Sequence, residues 1–270
     1  MKEVTKVLYI SQEIFPYLPA SEMANMGRYL PQAVQEKGLE VRIFMPKFGS
    51  INERRNQLHE VIRLSGMNII IDDTDHPLII KVASIPAARM QVYFIDNEDY
   101  FQRKNTVANE NNEEYDDNDE RAIFFARGVM ETVKKLRWSP DVIHCQGWIT
   151  ALVPLYVKKI YNDDPFFKHS RVVYSIFDDE FKKPLNDRLM DKILMDGIQK
   201  KHLASIKNPP VDYHSLLKLA VDYSDGFIQS SPKVNESVLK YVADKKIKFL
   251  PYQPAEDYSD QYIDFYNQLF

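Results

Sequence analysis

The sequence has one cysteine, no long apolar run and no excess of basic residues, and each shortage excludes a class of protein. Cys145 cannot form an internal disulfide and lies in an apolar stretch, which favours a reducing compartment. No run of about 18 apolar residues is present to span a membrane, and the charged N-terminal segment differs from a signal peptide. Lys and Arg number 35 against 39 Asp and Glu, so no basic stripe is available for nucleic acid. We therefore predict a cytoplasmic protein that binds neither membrane nor nucleic acid.

Apolar residues are abundant enough for a large core. They make up 44% of the 270 residues, and continuous apolar runs alternate with segments of helical period, as in sheets covered on both faces. The pattern predicts a single α/β domain over residues 1–270, with three layers and a Rossmann-like, doubly wound, mostly parallel sheet. The aromatic-rich segment 258–270 is marginal as a free helix, so we expect it to dock on the domain.

The expected order of elements follows from this alternation. The predicted parallel strands are the apolar runs at residues 6–10, 41–45, 141–145, 171–176, 226–229 and 247–250. The predicted helices span residues 21–37, 119–136, 148–160, 185–202, 212–222 and 232–243. Ser21 is suited to cap the first helix. Four β-rich runs, at residues 61–64, 67–71, 78–82 and 91–95, predict hairpins or an extension of the sheet.

Residues 103–120 are polar and rich in acids. Clustered acids permit a metal-binding loop, but this stretch lacks the glycine and the fixed alternation of a calcium loop. We expect a solvated loop there. The sequence predicts no metal site and no cofactor.

The stretch 137–156 is the centre of the predicted architecture. A strand over residues 141–145 is followed by a sharp turn at Gln146 and Gly147 and by a helix from Trp148, and open parallel sheets bind ligands at such turns. The turn carries little chemistry, because His144 precedes it and no carboxylate lies in it. His144 and Cys145 are adjacent on a strand, point to opposite faces and cannot form a nucleophilic pair.

Several motifs carry a family resemblance. They are I-S-Q-E-I-F-P at residues 10–16, Y-D-D-N-D-E-R at 115–121, W-x-P-D-V-I-H-C at 138–145, L-K-x-x-x-x-Y-S-D at 217–225 and S-S-P at 230–232. The match extends over nearly the whole chain with specific spacing. By these motifs the chain resembles the bacterial glycogen and plant starch synthases.

The resemblance implies a glycosyltransferase of the GT-B type, in which two Rossmann-like domains face each other across a cleft. In that family the N-terminal domain mainly receives the α-glucan acceptor, and the C-terminal domain mainly holds ADP-glucose or UDP-glucose. The chain looks like the N-terminal domain alone, because about twenty residues follow residue 250. We therefore expect the donor-binding half to be missing.

At three places the sequence departs from the family's pattern. Pro19 stands where the family's K-T-G-G loop has the lysine that neutralises the donor diphosphate, and Glu22 replaces a glycine of that loop. Gly147 replaces the aspartate of an H-D-W turn that hydrogen-bonds sugar hydroxyls. Phe177 replaces a histidine that contacts the transferred sugar. We therefore assign no catalytic residue.

The resemblance leaves five possible acceptor-site residues, namely Glu13, His144, Gln146, Trp148 and Asp178. Structural alternatives are open for them. A histidine that ends an apolar strand is often simply buried and hydrogen-bonded, a tryptophan often belongs to the core, and the acids at residues 178–180 are typical of a solvated turn.

Two hypotheses remain. In the first, the domain has lost transfer chemistry and keeps binding of α-glucan or malto-oligosaccharide, or a regulatory role through contact with a synthase, another chain or a second copy of itself. In the second, it is an active glucosyltransferase with a relocated site or with a donor domain supplied by a partner chain. The loss of the lysine and glycine that bind the donor diphosphate favours the first hypothesis. Removing even one preorganised hydrogen-bond donor typically costs on the order of 3 kcal/mol of transition-state stabilisation.

Overall fold

The fold is built on ten strands and eight α-helices within the part of the chain that the computed structural model describes, residues 3–254 and 258–270. The strands are β1 (Lys6–Ser11), β2 (Glu40–Pro46), β3 (His59–Glu60), β4 (Met67–Ile71), β5 (Thr74–Ile85), β6 (Met90–Asp96), β7 (Val142–Gln146), β8 (Arg171–Ile176), β9 (Gly226–Gln229) and β10 (Lys248–Leu250). The helices are α1 (Glu22–Glu36), α2 (Glu98–Phe101), α3 (Asn118–Lys135), α4 (Val153–Lys159), α5 (Leu189–Ile193), α6 (Tyr213–Asp222), α7 (Glu236–Lys245) and α8 (Tyr258–Asn267).

The strands join in one sheet in the order β10, β9, β8, β7, β1, β2, β6, β5, β3, and β4 pairs with β5. From β10 to β6 neighbouring strands run parallel, whereas β5 is antiparallel to β6, β3 and β4. β7 and β8 have continuous apolar sequences and are buried almost throughout, as expected for strands covered on both faces. The predicted α/β fold with a mostly parallel, doubly wound sheet is confirmed.

The strand order reverses between β1 and β7. The chain passes from β1 to β2 on one side and later returns to β7 on the other, so the crevice beyond the carboxyl ends of these two strands is the topological switch point. In the register, Ser11 pairs with Gln146, and Gln146 pairs with Ser175. The last residues of three neighbouring strands therefore lie side by side.

Several predicted boundaries need correction. Residues 61–64 form a turn rather than a strand, and the edge pairing is made by β3 just before them. The helix predicted over 148–160 is divided into a 3₁₀ turn, Trp148–Thr150, and α4, which has Pro154 near its start, where a proline is tolerated. The helix predicted over 185–202 is reduced to α5 and part of a 3₁₀ segment, Lys200–Ile206, and α7 begins four residues later than predicted, at Glu236.

The acidic stretch is solvated in part. Residues 110–113 are exposed, but Asp119 is fully buried and pairs with Lys192 of α5, whose ammonium nitrogen lies 2.8 Å from a carboxylate oxygen of Asp119. The prediction of a solvated loop is therefore wrong at its C-terminal end, where the chain has already entered α3. In the residues described here, no group of three or more His, Cys, Asp or Glu side chains is arranged to hold a metal ion.

Helix α8 packs its tyrosines into the sheet. Tyr262 and Tyr266 are almost completely buried. The Tyr266 hydroxyl lies 3.2 Å from the Tyr9 hydroxyl of β1 and 2.7 Å from Nδ1 of His144 in β7. An ion pair between Lys37 and Asp260 adds a contact at the surface. No helix among the residues described is long and apolar enough to cross a membrane.

Candidate functional site

A cavity of about 890 Å³ opens at the switch point of the sheet. Its walls come from the segments that follow β1, β7, β8 and β9, together with the start of α1, the start of α6 and the loop before α3. The lining residues are Gln12, Glu13, Ser21, Glu22, Met23, Val107, Glu114, Trp148, Phe177, Asp178, Asp179, Glu180, Phe181, Lys182, Asp212, Tyr213, His214 and Ser231. Carboxylates predominate among its charged groups, so the cavity disfavours anions.

The turn after β7 has no room for a side chain at Gly147. This glycine has φ +88°, in the left-handed region, and a Cβ placed on it would lie 2.8 Å from Cβ of Gln12 and 2.9 Å from Sδ of Met23. Oε1 of Gln12 also accepts a hydrogen bond from the Ile149 N–H at 3.1 Å, which holds Gln12 against the turn. A carboxylate at position 147 is absent from the sequence, and the geometry of the turn therefore also opposes one.

Asp179 places a carboxylate at the same turn from the neighbouring strand. Its Oδ2 accepts a hydrogen bond from the backbone N–H of Trp148 at 2.8 Å, and its Oδ1 accepts one from the Tyr213 hydroxyl at 2.7 Å. The residue has intermediate exposure and lines the cavity, although its carboxyl group lies deep among protein atoms. Burial raises the pKa of the Asp179 carboxyl to about 7; the nearby charge of Glu13 adds to this rise, and the hydrogen bonds from Tyr213 and Trp148 oppose it.

The N-terminus of α1 is occupied by acidic side chains of the chain itself. The Ser21 hydroxyl accepts the Ala24 N–H at 2.9 Å and donates to the Glu13 carboxylate at 2.7 Å. Glu22 is the first residue of the helix, and its carboxylate accepts a hydrogen bond from the Ser231 hydroxyl. Carboxylates near a helix N-terminus are stabilised by the exposed N–H groups there. Here they put negative charge close to the place where an external anion would bind.

Three aromatic residues form part of the cavity wall near Asp179. The rings of Trp148 and Phe181 meet edge to face with centroids 5.0 Å apart, and those of Phe181 and Tyr213 do so at 5.5 Å. All three residues are nearly buried and line the cavity. A carboxylate next to aromatic surface offers both the polar and the apolar contacts that a sugar ring needs.

The five predicted acceptor-site residues fall into two groups. Glu13, Trp148 and Asp178 line the cavity, as does Phe177, and Pro19 lines a neighbouring cavity of about 600 Å³. His144 and Gln146 are fully buried and absent from the cavity wall. The acceptor role of all five stays a prediction.

His144 and Gln146 are held in a buried polar network. His144 places Nε2 at 2.6 Å from the Ser175 hydroxyl and Nδ1 at 2.7 Å from the Tyr266 hydroxyl, and Gln146 accepts from the Ser11 hydroxyl at 2.6 Å. Burial lowers the pKa of His144 to about 3, so its imidazole is neutral. Burial also raises the pKa of the Cys145 thiol, which keeps it unreactive.

Sequence reasoning discounted Asp179 and missed Tyr213. The acids at residues 178–180 were expected to be a solvated turn, and Asp178 and Glu180 are indeed exposed, but Asp179 turns inward to the Trp148 N–H. Tyr213 lies 34 residues further along the chain, at the start of α6. No spacing rule connects these two positions; only the burial of the aspartate beside the switch point identifies them.

Comparison with known proteins places this architecture in a family. The profile of the starch synthase catalytic domain matches residues 6–248. Glycogen synthase of Chlorobium luteolum is 38% identical over 194 residues, which are 72% of this chain and 40% of that protein. Glycogen synthase of Chlorobium phaeovibrioides is 35% identical over 234 residues, which are 86% of this chain and 47% of that protein. The chain thus spans less than half the length of these curated relatives.

A solved structure shows the same fold. The catalytic domain of Starch Synthase IV from Arabidopsis thaliana, bound to ADP and acarbose, superposes with a TM-score of 0.72 over 96% of this chain and 53% of that chain, at 19% sequence identity. This likeness identifies the sheet and its helices as a Rossmann-like GT-B domain. Together with the sequence match, it shows that the chain belongs to the starch synthase catalytic domain family of glycosyltransferases.

Proposed function

We propose that this domain binds α-glucan or malto-oligosaccharide in the cavity at the switch point and does not transfer glucose by itself. The observation that carries the proposal is the pair of carboxylates, Glu13 and Glu22, at the N-terminus of α1. In the resembled synthases this loop and helix start neutralise the diphosphate of a nucleotide sugar. Here the same place is negative and internally hydrogen-bonded.

A diphosphate at this position would be repelled by negative charge instead of being bound by positive groups and N–H donors. Pro19 supplies neither a cation nor a backbone N–H, and Glu22 adds a negative charge at the first residue of α1. Preorganised positive groups at a leaving group supply a large share of catalysis, and loss of one donor typically costs on the order of 3 kcal/mol. Autonomous glucosyl transfer is therefore not expected.

An uncharged sugar meets none of this repulsion. The cavity combines hydrogen-bonding carboxylates with the aromatic side chains Trp148, Phe181 and Tyr213, and its volume of about 890 Å³ is enough for a short oligosaccharide. The curated relatives are glycogen synthases, and the structurally similar starch synthase was bound to acarbose. These relationships support the glucan as the ligand and a cytoplasmic location for the protein, and they are compatible with a regulatory contact to a synthase chain or to a second copy.

A second candidate function is active glucosyl transfer from ADP-glucose or UDP-glucose, with the donor domain supplied by a partner chain or with the site relocated. One observation favours it: Asp179 supplies a carboxylate at the turn where the family has one. The absence of the lysine and glycine that bind the donor diphosphate in the resembled family argues against this second function.

Two assays test the proposal. In a native gel that contains glycogen, the purified chain is expected to migrate more slowly than in a gel without glycogen, relative to an unrelated protein of similar mass. In a transfer assay with labelled ADP-glucose and glycogen, the same preparation is expected to incorporate no label. Unchanged migration would refute glucan binding, and incorporation of label would establish the second candidate.

A further inference from the structure

We propose that Asp179 is the residue that recognises the ligand in the cavity, by accepting a hydrogen bond from a hydroxyl group of an uncharged sugar. This inference rests on the proposed glucan binding and adds the residue and the chemical feature of the ligand. It assigns the carboxylate function to the segment after β8, one strand away from the turn where the resembled family carries it.

The Asp179 carboxylate has more acceptor sites than protein donors. An ionised carboxylate accepts about four hydrogen bonds, two on each oxygen. One acceptor site on Oδ2 is taken by the Trp148 N–H and one on Oδ1 by the Tyr213 hydroxyl. The backbone N–H of Asp179 itself is a third donor to the carboxylate, so about one of the four acceptor sites is left, and the residue lines the cavity. One fixed acceptor site matches one sugar hydroxyl.

The same two hydrogen bonds hold the carboxylate in position. Trp148 begins the 3₁₀ turn after β7, and Tyr213 begins α6, whose N-cap Asp212 accepts the Ser215 N–H at 2.8 Å. Both donors come from rigid elements, so the carboxylate does not have to be ordered when the ligand binds. The edge-to-face rings of Trp148, Phe181 and Tyr213 provide an apolar surface beside it.

The crowding at Gly147 explains why the carboxylate comes from Asp179. A side chain at position 147 collides with Gln12 and Met23, whereas Asp179 reaches the same turn from the segment after β8. An anionic ligand is disfavoured because the groups that face Asp179 are mainly acids or phenols. Glu13 faces it from the segment after β1, Tyr174 from β8 and Tyr213 from α6, and the flanking charged residues of its own segment are Asp178, Glu180 and Lys182.

The test is a calorimetric titration of the full chain with maltotriose and with maltotriose analogues that lack the 2- or the 3-hydroxyl of one terminal glucose. Wild-type protein is expected to bind maltotriose, and to bind at least one deoxy analogue about tenfold or more weakly, as for loss of a hydrogen bond to a charged group. Asp179→Asn is expected to bind maltotriose about tenfold or more weakly and to lose the discrimination. Asp187→Asn removes the same charge from an exposed position outside the cavity and serves as the matched control, with wild-type affinity.

The outcomes separate the inference from the proposed function. Wild-type binding that is equal for maltotriose and all the deoxy analogues overturns the inference and leaves glucan binding intact. Folded Asp179→Asn with wild-type affinity does the same. Absence of maltotriose binding by the wild type overturns both. If Asp179→Asn fails to fold, the deoxy series on the wild type still decides, because it needs no variant.

Discussion

The Ser231 hydroxyl, two residues after β9, donates a hydrogen bond to the carboxylate of Glu22 at the start of α1. This contact links two edges of the cavity and fixes a negative charge on the N-terminus of the helix. In the resembled synthases, glycine amides and a lysine receive the donor diphosphate there. The contact therefore explains in physical terms why the domain is expected to reject anionic ligands.

Removing the acid and restoring the cation should create an anion site. The triple variant Pro19→Lys, Ser21→Gly, Glu22→Gly is expected to bind ADP measurably in calorimetry, because the exposed N–H groups at the start of α1 then have a lysine nearby and no acid at the first helical position. Wild type is expected to show no ADP binding. Glu36→Gln, which removes one negative charge at the other end of the same helix, is the control and should resemble the wild type. ADP binding by the wild type equal to that of the triple variant would contradict this explanation.

Gly147→Ala is expected to destabilise the protein by about 2–4 kcal/mol, because a positive φ and a blocked Cβ position act together. Gly38→Ala is the matched control: Gly38 has φ +96°, but a Cβ there meets nothing within 4 Å. Gly38→Ala should lower the free energy of unfolding by only about 1 kcal/mol, because only the backbone conformation opposes the new side chain. Urea unfolding of both variants measures the difference. Equal losses of stability would show that the turn is not crowded.

His144 should make the fold less stable in acid. Burial lowers its pKa from 6.5 to about 3 in the folded state, so between these values the unfolded chain binds a proton that the native state does not. The contribution of neutral His144 to the free energy of unfolding is therefore fully present above about pH 6.5. It falls by on the order of 1 kcal/mol per pH unit below that value. Urea unfolding at pH 7 and pH 5 is expected to show a smaller acid loss for His144→Gln than for the wild type. The same loss in both proteins would count against a buried neutral imidazole.

Asp179 should act in the opposite sense. Burial raises its pKa from 3.8 to about 7, so the native state holds this proton more tightly than the unfolded chain does. The contribution of this proton to the free energy of unfolding is largest below the pKa of the unfolded chain and is lost as the pH rises through about 7. The loss is on the order of 1–3 kcal/mol after allowance for the partial exposure of Asp179. Asp179→Asn is expected to gain stability relative to the wild type between pH 5 and pH 8. A difference that does not change with pH would contradict the raised pKa.

The parallel strands were predictable because their sequences are continuous apolar runs. β1, β7 and β8 are buried on both faces, and their boundaries differ from the predicted ones by a residue or less. Helix ends were less predictable where a proline or a 3₁₀ turn intervenes, as at Trp148–Thr150 and Pro154. Local sequence does not reveal which of these geometries the surrounding packing selects.

The candidate site was predictable in location but not in content. The turn at the switch point was predicted from its strand-turn-helix pattern, and the cavity-lining positions Glu13, Trp148 and Asp178 were named from the family resemblance. The inward turn of Asp179 depends on contacts with residues 31 and 34 positions away, and the burial of His144 depends on a tyrosine 122 positions further along the chain. Contacts at such separations are set by tertiary packing, which a single sequence pattern does not encode.

The central claim is that the cavity takes a glucan and refuses a nucleotide sugar, and one calorimetric experiment tests it most directly. The purified chain is titrated with maltoheptaose and, under the same buffer and salt, with ADP-glucose. We expect saturable binding of maltoheptaose and no binding of ADP-glucose, because carboxylates occupy the N-terminus of α1. Binding of ADP-glucose without maltoheptaose would contradict the account.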